Sequence, residues 1–215
     1  MTFPPTLSLR VNGLSLVKGY NCLIAGLDFE IKSGQALSLY GENGVGKTTL
    51  LRTLAGFMIP MAGTIVVYDK GVFVEAEIVH TNLIHFLGHH DALNPSRTVA
   101  QELDFQAQYL GGDPSDIGLL NLTPLMDLET RYLSAGQKRR LSCAKLLMHK
   151  RPLWLLDEPM APLDVAHRAL LGEIMQNHLT QGGMIIAAVH DALPFETRAL
   201  RLERPTAQMR EAANV

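Results

Sequence analysis

The chain has 215 residues, a length that suits one sizeable domain or one domain carrying an insertion. Close to half the residues are apolar, and 19 basic side chains stand against 21 acidic ones for a formal charge of −2, so there is no electrostatic reason to expect nucleic acid as a partner. Two cysteines, Cys22 and Cys143, lie too far apart to suggest a disulfide framework; they fit a reducing compartment, with both thiols buried as small apolar groups.

The opening stretch, MTFPPTLSLR, has no basic segment followed by an apolar core, so no signal peptide is expected. No apolar run approaches the ~20 residues of a membrane-spanning helix, so a chain soluble by itself is expected, one still able to dock on a membrane protein. The first third then reads as strands: LSLRV, LIAGLDFEI, ALSLY and TIVVYD are rich in β-branched and large apolar residues and are punctuated by Gly, Asn, Asp and Lys. Between the last two, GKTTLLRTLAGF places Leu50, Leu51 and Leu54 at helical spacing, with Gly56 as a C-terminal stop.

The stretch RTVAQELDFQAQYLGG and the stretch SAGQKRRLSCAKLLMHK are helical in character, separated by a loop carrying Pro114 and Pro124. A buried-strand run, PLWLLDE, follows, then the helix DVAHRALLGEIMQNHL, a stop at Gly182 and Gly183, and a further buried strand, MIIAAVH. Short, wholly apolar runs alternating with helices point to an α/β fold with a parallel sheet covered on both faces. The helical stretch, about residues 90–150, reads as a subdomain inserted into that core, and the polar tail LERPTAQMREAANV reads as frayed.

Chemistry concentrates where ALSLY meets the first helix. GENGVGKT fits G-x-x-x-x-G-K-[ST], the phosphate-binding P-loop pattern, with Gly41, Gly46, Lys47 and Thr48 at the fixed positions. The glycines let backbone N–H groups close around phosphate as an anion nest, and the helix that starts near Gly46 aims its positive dipole end at the same place. Lys47 reaches the β- and γ-phosphates, and the Thr48 hydroxyl ligates Mg²⁺. Residues 41–49 (Gly41, Glu42, Asn43, Gly44, Val45, Gly46, Lys47, Thr48 and Thr49) are thus the candidate nucleotide-binding segment, Thr49 as the next residue of the helix.

PLWLLDE supplies the metal partner. Asp157 ends a buried strand, where α/β sheets collect ligand groups, and is placed to hold Mg²⁺ through water. Glu158 beside it is the candidate base that polarises an attacking water. A third stretch, LSAGQKRR, opens another helix at Ser134 and Gly136, a second anion-binding device in a chain that already has one.

These three motifs, in this order, resemble the ATP-binding-cassette (ABC) family of transporter ATPases over nearly the whole chain. The resemblance implies a single domain over residues 1–215, with a P-loop core, an antiparallel β subdomain and the inserted helical subdomain. LSAGQ is similar to the family signature, which implies that Ser134, Gly136 and Gln137 complete the ATP site of a second copy in a head-to-tail homodimer. Asp164 in APLD looks like the D-loop aspartate, His190 in AAVHD like the switch histidine that closes on the γ-phosphate, and Tyr20 like the aromatic that stacks on adenine.

The departures are specific. The glutamine that follows the P-loop half in the family is absent, and counting back from TVAQELDF puts His89 in its place, so His89 joins the candidate catalytic residues. Ala135 stands in the signature where Gly is commoner, and Pro162 in the D-loop where a small residue is usual. The LGH segment, LSAGQKRR and the late QGG resemble one subgroup, the CcmA-type ATPases of the haem-export system of cytochrome c biogenesis. That resemblance implies ATP and Mg²⁺ as cofactors, CcmB- and CcmC-type membrane proteins as partners, and a peripheral place on the cytoplasmic face of the inner membrane. Alternatives are the ATPase of another small-molecule exporter and a soluble non-transport ABC ATPase, which usually needs two cassettes in one chain, or a long coiled coil, and more basic charge. Direct haem binding is not expected, because no C-x-x-C-H pattern occurs. The remaining histidines carry no metal-ligand spacing, and zinc is not expected at His89 and His90.

Overall fold

The computed structural model describes residues 3–4, 6–113 and 118–212; Pro114 lies outside them. The elements run β1 Ser8–Lys18, β2 Asn21–Lys32, β3 Ala36–Tyr40, α1 Lys47–Leu54, β4 Ala62–Asp69 and β5 Val72–Val74. After these come a helical turn α2, Ala76–Ile78, continued by a π-helical stretch Val79–Leu83, then β6 Ile84–Leu87 and α3 Val99–Leu110. The chain continues through α4 Ala135–Met148, β7 Leu153–Asp157, α5 Val165–Thr180, β8 Met184–Ala188, β9 Arg198–Arg201 and α6 Ala207–Ala212.

Two sheets form. One is antiparallel with strand order β2-β1-β4-β5; the other has order β6-β7-β8-β3-β9 and every pairing in it is parallel. The strands at the heart of the parallel sheet are buried on both faces, which is why they read as continuous apolar runs. Their residues alternate between two cores. Leu37, Leu39, Leu153, Leu155, Met184 and Ile186 face α1 and the antiparallel sheet. Trp154, Leu156, Ile185 and Ala187 face the layer of α3, α4 and α5. The helical stretch therefore shares a core with the sheet: Leu103 of α3 and Leu141 and Leu146 of α4 lie in the same cluster as Trp154. Among the described residues no helix is long and apolar enough to cross a membrane.

Three points differ from expectation. Cys143 is buried, but Cys22 is only half-buried, because it is the second residue of β2, beside the exposed β1–β2 turn. Strands β5, β6 and β9 were not foreseen. β6 begins directly after the π-helical stretch and carries His85, whose Nε2–H donates to the His149 carbonyl at 2.5 Å and so satisfies a buried ring. The tail is more ordered than expected, since the Leu202 N–H donates to the Tyr40 carbonyl at 2.8 Å and α6 forms within residues 207–212.

Candidate active site

The P-loop joins the C-terminal end of β3 to α1, as the pattern requires. Gly41 has φ +147°, and a Cβ there would meet the Leu202 carbonyl oxygen at 2.5 Å and Val45 Cγ1 at 2.9 Å, so no larger residue fits. Gly46 stands at the N-cap of α1 with φ +117° and no side-chain cap, leaving the first N–H groups of the helix open. Lys47 is only 7% exposed. Its ammonium turns back on the loop and donates to the Gly41 carbonyl at 2.5 Å and the Glu42 carbonyl at 3.3 Å. The loop is thereby wrapped around a positive charge and a set of free backbone donors, which is the complement of a polyphosphate.

Helix α1 packs against β7 and β8, and this brings Asp157 to the P-loop. The Thr48 hydroxyl hydrogen-bonds to the Asp157 carboxylate, whose burial nevertheless pushes it above the ordinary carboxylate range. Asp157 Oδ2 is buried and has no hydrogen-bond partner. A buried, desolvated carboxylate oxygen beside a hydroxyl fits a hard divalent cation that also binds phosphate, so the residues present suit Mg²⁺.

Glu158 follows with φ +49°, a left-handed backbone on a non-glycine residue that costs on the order of 1–3 kcal/mol unless the surroundings hold it. Its N–H donates to the Ala188 carbonyl at 3.0 Å, tying it to the end of β8. Its carboxylate lies between two imidazoles: His190 Nε2 is 2.9 Å from Oε1, and His89 Nδ1 is 3.7 Å from Oε2. Both rings are at least half exposed, while Glu158 is 22% exposed. Asp157, Glu158, His89 and His190 therefore converge at the ends of three neighbouring strands, β6, β7 and β8.

The other candidates are placed elsewhere. Tyr20 is in the β1–β2 turn and fully exposed. The start of β2 lies under the P-loop, for a Cβ on Gly46 would meet Leu23 and Ile24, so the turn that carries Tyr20 is at the rim of the phosphate site. Ser134 is the N-cap of α4 and forms a complete capping box with Gln137: Oγ accepts from the Gln137 N–H at 3.3 Å, and Gln137 Oε1 accepts from the Ser134 N–H at 2.8 Å. A Cβ on Gly136 would meet the Pro162 carbonyl oxygen at 2.9 Å, so the start of α4 lies directly on the loop that precedes Asp164. Asp164 is the N-cap of α5 and accepts from the backbone and the ring of His167, which together hold its carboxyl below the ordinary range. The start of α4 and the loop before α5 thus form one corner, with Ser134 and Asp164 exposed and Gly136 and Gln137 half-buried.

Sequence reasoning missed Arg139. Its guanidinium is buried, at 2% exposure, and donates to the carbonyls of Gly88 (2.9 Å), His89 (3.4 Å), Asp157 (3.4 Å) and Glu158 (3.3 Å), with Asp91 Oδ1 3.2 Å away. The only signal was the adjacent pair Arg139 and Arg140 in LSAGQKRR; an arginine on a helix ordinarily reads as a solvated one.

The ABC transporter family model matches residues 24–161. The chain belongs to the ABC transporter family. This ABC ATPase is 47% identical over 190 residues to the cytochrome c biogenesis ATP-binding export protein CcmA of Bradyrhizobium diazoefficiens, a match covering 86% of this chain and 93% of that one. It is 45% identical over 198 residues to the CcmA of Rhodopseudomonas palustris, covering 90% and 97%. Its fold is similar to a putative ABC transporter ATP-binding protein from Pyrococcus furiosus, with TM-score 0.76, 24% identity and coverage of 91% and 97%. It is also similar to a dimeric ATP-binding cassette in a post-hydrolysis state bound to ADP and phosphate, with TM-score 0.74, 20% identity and coverage of 91% and 94%. The expected fold, a P-loop core with an added antiparallel sheet and helices, is the fold observed, and ATP hydrolysis is the activity of the family.

Proposed function

We propose that this ABC ATPase is the motor subunit of the export system of cytochrome c biogenesis, working as one domain in a homodimer with composite ATP sites. Residues 41–49 hold the triphosphate, with Tyr20 against the adenine. Thr48 and Asp157 hold Mg²⁺, which supplies charge neutralisation at the β- and γ-phosphates. Ser134, Gly136 and Gln137 of the second copy close the site, and Asp164 lies at the seam. Glu158 accepts a proton from the attacking water as its oxygen bonds to the γ-phosphorus and the bond to the ADP oxygen breaks. His190 and His89 hold the Glu158 carboxylate in place, and His190 turns to the γ-phosphate on closure.

The observation that carries the hydrolytic reading is the Glu158 carboxylate, held by two imidazoles beside the unpaired oxygen of Asp157. Likeness to CcmA proteins over about nine-tenths of the chain supports the pathway. Within it, CcmB- and CcmC-type membrane proteins at the cytoplasmic face of the inner membrane receive the movement, and hydrolysis frees a haem-loaded periplasmic chaperone. The test is a haem stain of membrane and periplasmic fractions from cells carrying only Glu158→Gln. The expected result is haem on the chaperone and no mature c-type cytochrome. Normal cytochrome maturation, with the variant present and unable to hydrolyse ATP, overturns the haem role and leaves the ATPase.

A further inference from the structure

Arg139 belongs to the second turn of the signature helix, yet none of its partners is on that helix. Four carbonyls and one carboxylate receive its guanidinium, and they come from two segments: residues 88–91 after β6, and residues 157–158 at the end of β7. Ser142, one turn further along α4, donates to the Asp91 carbonyl at 2.7 Å and braces the same loop. Two of the four carbonyls belong to His89 and Glu158 themselves, the pair whose side chains face each other at 3.7 Å. Glu158 also has the left-handed backbone, a conformation that relaxes unless its peptide groups are held. The Ala188 carbonyl accepts from its N–H, and its own carbonyl accepts both from the Ala161 N–H at 3.3 Å and from Arg139, the one side chain among these holds.

We infer that Arg139 is a positioning residue for hydrolysis, setting the backbone of Glu158 and of His89 from the signature helix. The two terminal nitrogens of a planar fork, Nη1 and Nη2, reach all four carbonyls at once, while Nε makes no hydrogen bond; neither an ammonium nor an amide spans the same set. The guanidinium touches no reacting atom. It acts through Glu158, so its loss lowers turnover and leaves nucleotide binding in place. It also makes the start of α4 and the Glu158 backbone one rigid piece, so that a shift of the signature helix moves the base. The inference rests on Glu158 being the base.

The test is steady-state ATP hydrolysis by the full chain in its membrane complex, comparing Arg139→Gln, Arg139→Lys and Glu158→Gln, with circular dichroism and thermal midpoints of each purified chain. The expected result is a kcat lowered about tenfold or more in Arg139→Gln at a KM within about twofold, and a partial recovery of kcat in Arg139→Lys. A folded Arg139→Gln chain with unchanged kcat, or one with KM raised as far as kcat falls, overturns the inference. Failure of both Arg139 variants to fold also overturns it, since Arg139 is then a scaffold residue. Full hydrolysis by Glu158→Gln overturns instead the reading of Glu158 as base, whatever Arg139 does.

Discussion

Helix α1 and helix α4 each begin at a motif that seeks phosphate, and they begin in opposite ways. At α1 the N-cap is Gly46, no side chain caps the helix, and the one nearby cation, Lys47, is folded onto loop carbonyls that triphosphate would displace. At α4 the capping box of Ser134 and Gln137 already satisfies two N–H groups, and the start of the helix is exposed. The first start is incomplete without an anion. The second is stable alone and has only its remaining donors to offer. Under the proposed function this contrast predicts that ATP binds first at the P-loop and that the signature joins later, at a cost to its own cap.

Four measurements break or sharpen that contrast. The largest effect is expected from Glu158→Gln, which keeps the P-loop whole: hydrolysis falls by about 10²–10⁴-fold, the usual worth of a positioned base, while ATP is still bound. Size exclusion with ATP should then show a trapped dimer, and a variant that hydrolyses at the parent rate removes Glu158 from its role. Lys47→Ala deletes a charged donor from the incomplete start, and the dissociation constant for ATP should rise about 10- to 100-fold, as loss of a charge-assisted hydrogen bond of about 1.5–3 kcal/mol implies. Equilibrium dialysis with labelled ATP checks it.

The third measurement asks whether the two starts meet across a dimer. Lys47→Ala and Ser134→Arg chains are each expected to be inactive, and mixing them leaves one intact composite site in every heterodimer. Hydrolysis should return on mixing; no return, with heterodimers demonstrated by tag pull-down, means that both motifs act within one chain.

The smallest effect concerns the frame that carries both starts. Burial pushes His85 down to about 3 and His178 down to about 4, so the folded chain keeps both rings neutral. An unfolded imidazole takes up its proton below about 6.5, so the unfolded state binds more protons at acid pH and stability falls as pH drops from 6.5 towards 4. At pH 5 each ring should reduce stability by about 2 kcal/mol relative to pH 7. His85→Gln retains a donor for the His149 carbonyl and should remove its share of the acid loss in urea unfolding. An unchanged pH dependence refutes the role given to His85.

The central strands and the P-loop could be read from the chain because both obey local rules. Leu153–Asp157 and Met184–Ala188 are apolar without interruption because both faces are covered, and the glycines at 41 and 46 answer a backbone demand within six residues. The strand Arg198–Arg201 escaped notice because it forms the edge of its sheet: its arginines are exposed, and its place depends on pairing with β3 more than 150 residues earlier. Arg139 escaped for a related reason, since its partners lie 18 to 51 residues away and none belongs to its own helix. The convergence of His89 with Glu158 was likewise beyond any local pattern, although counting back along the chain had singled out His89 itself.

The partnership of β3 with β8 and β9 also bears on how the chain is born. Strand β3 and the phosphate loop leave the ribosome early, but both neighbours of β3 come from residues 184–201, and the wall against Gly41 is the carbonyl of Leu202. At ordinary rates of synthesis the intervening residues take on the order of ten seconds to make. Through that interval the antiparallel strands β1, β2 and β4 can pair with one another, since their registers are local. The nucleotide loop has no enclosure until the last strand of the sheet arrives, so a nascent chain stalled short of residue 184 carries the phosphate motif in full and still lacks the site.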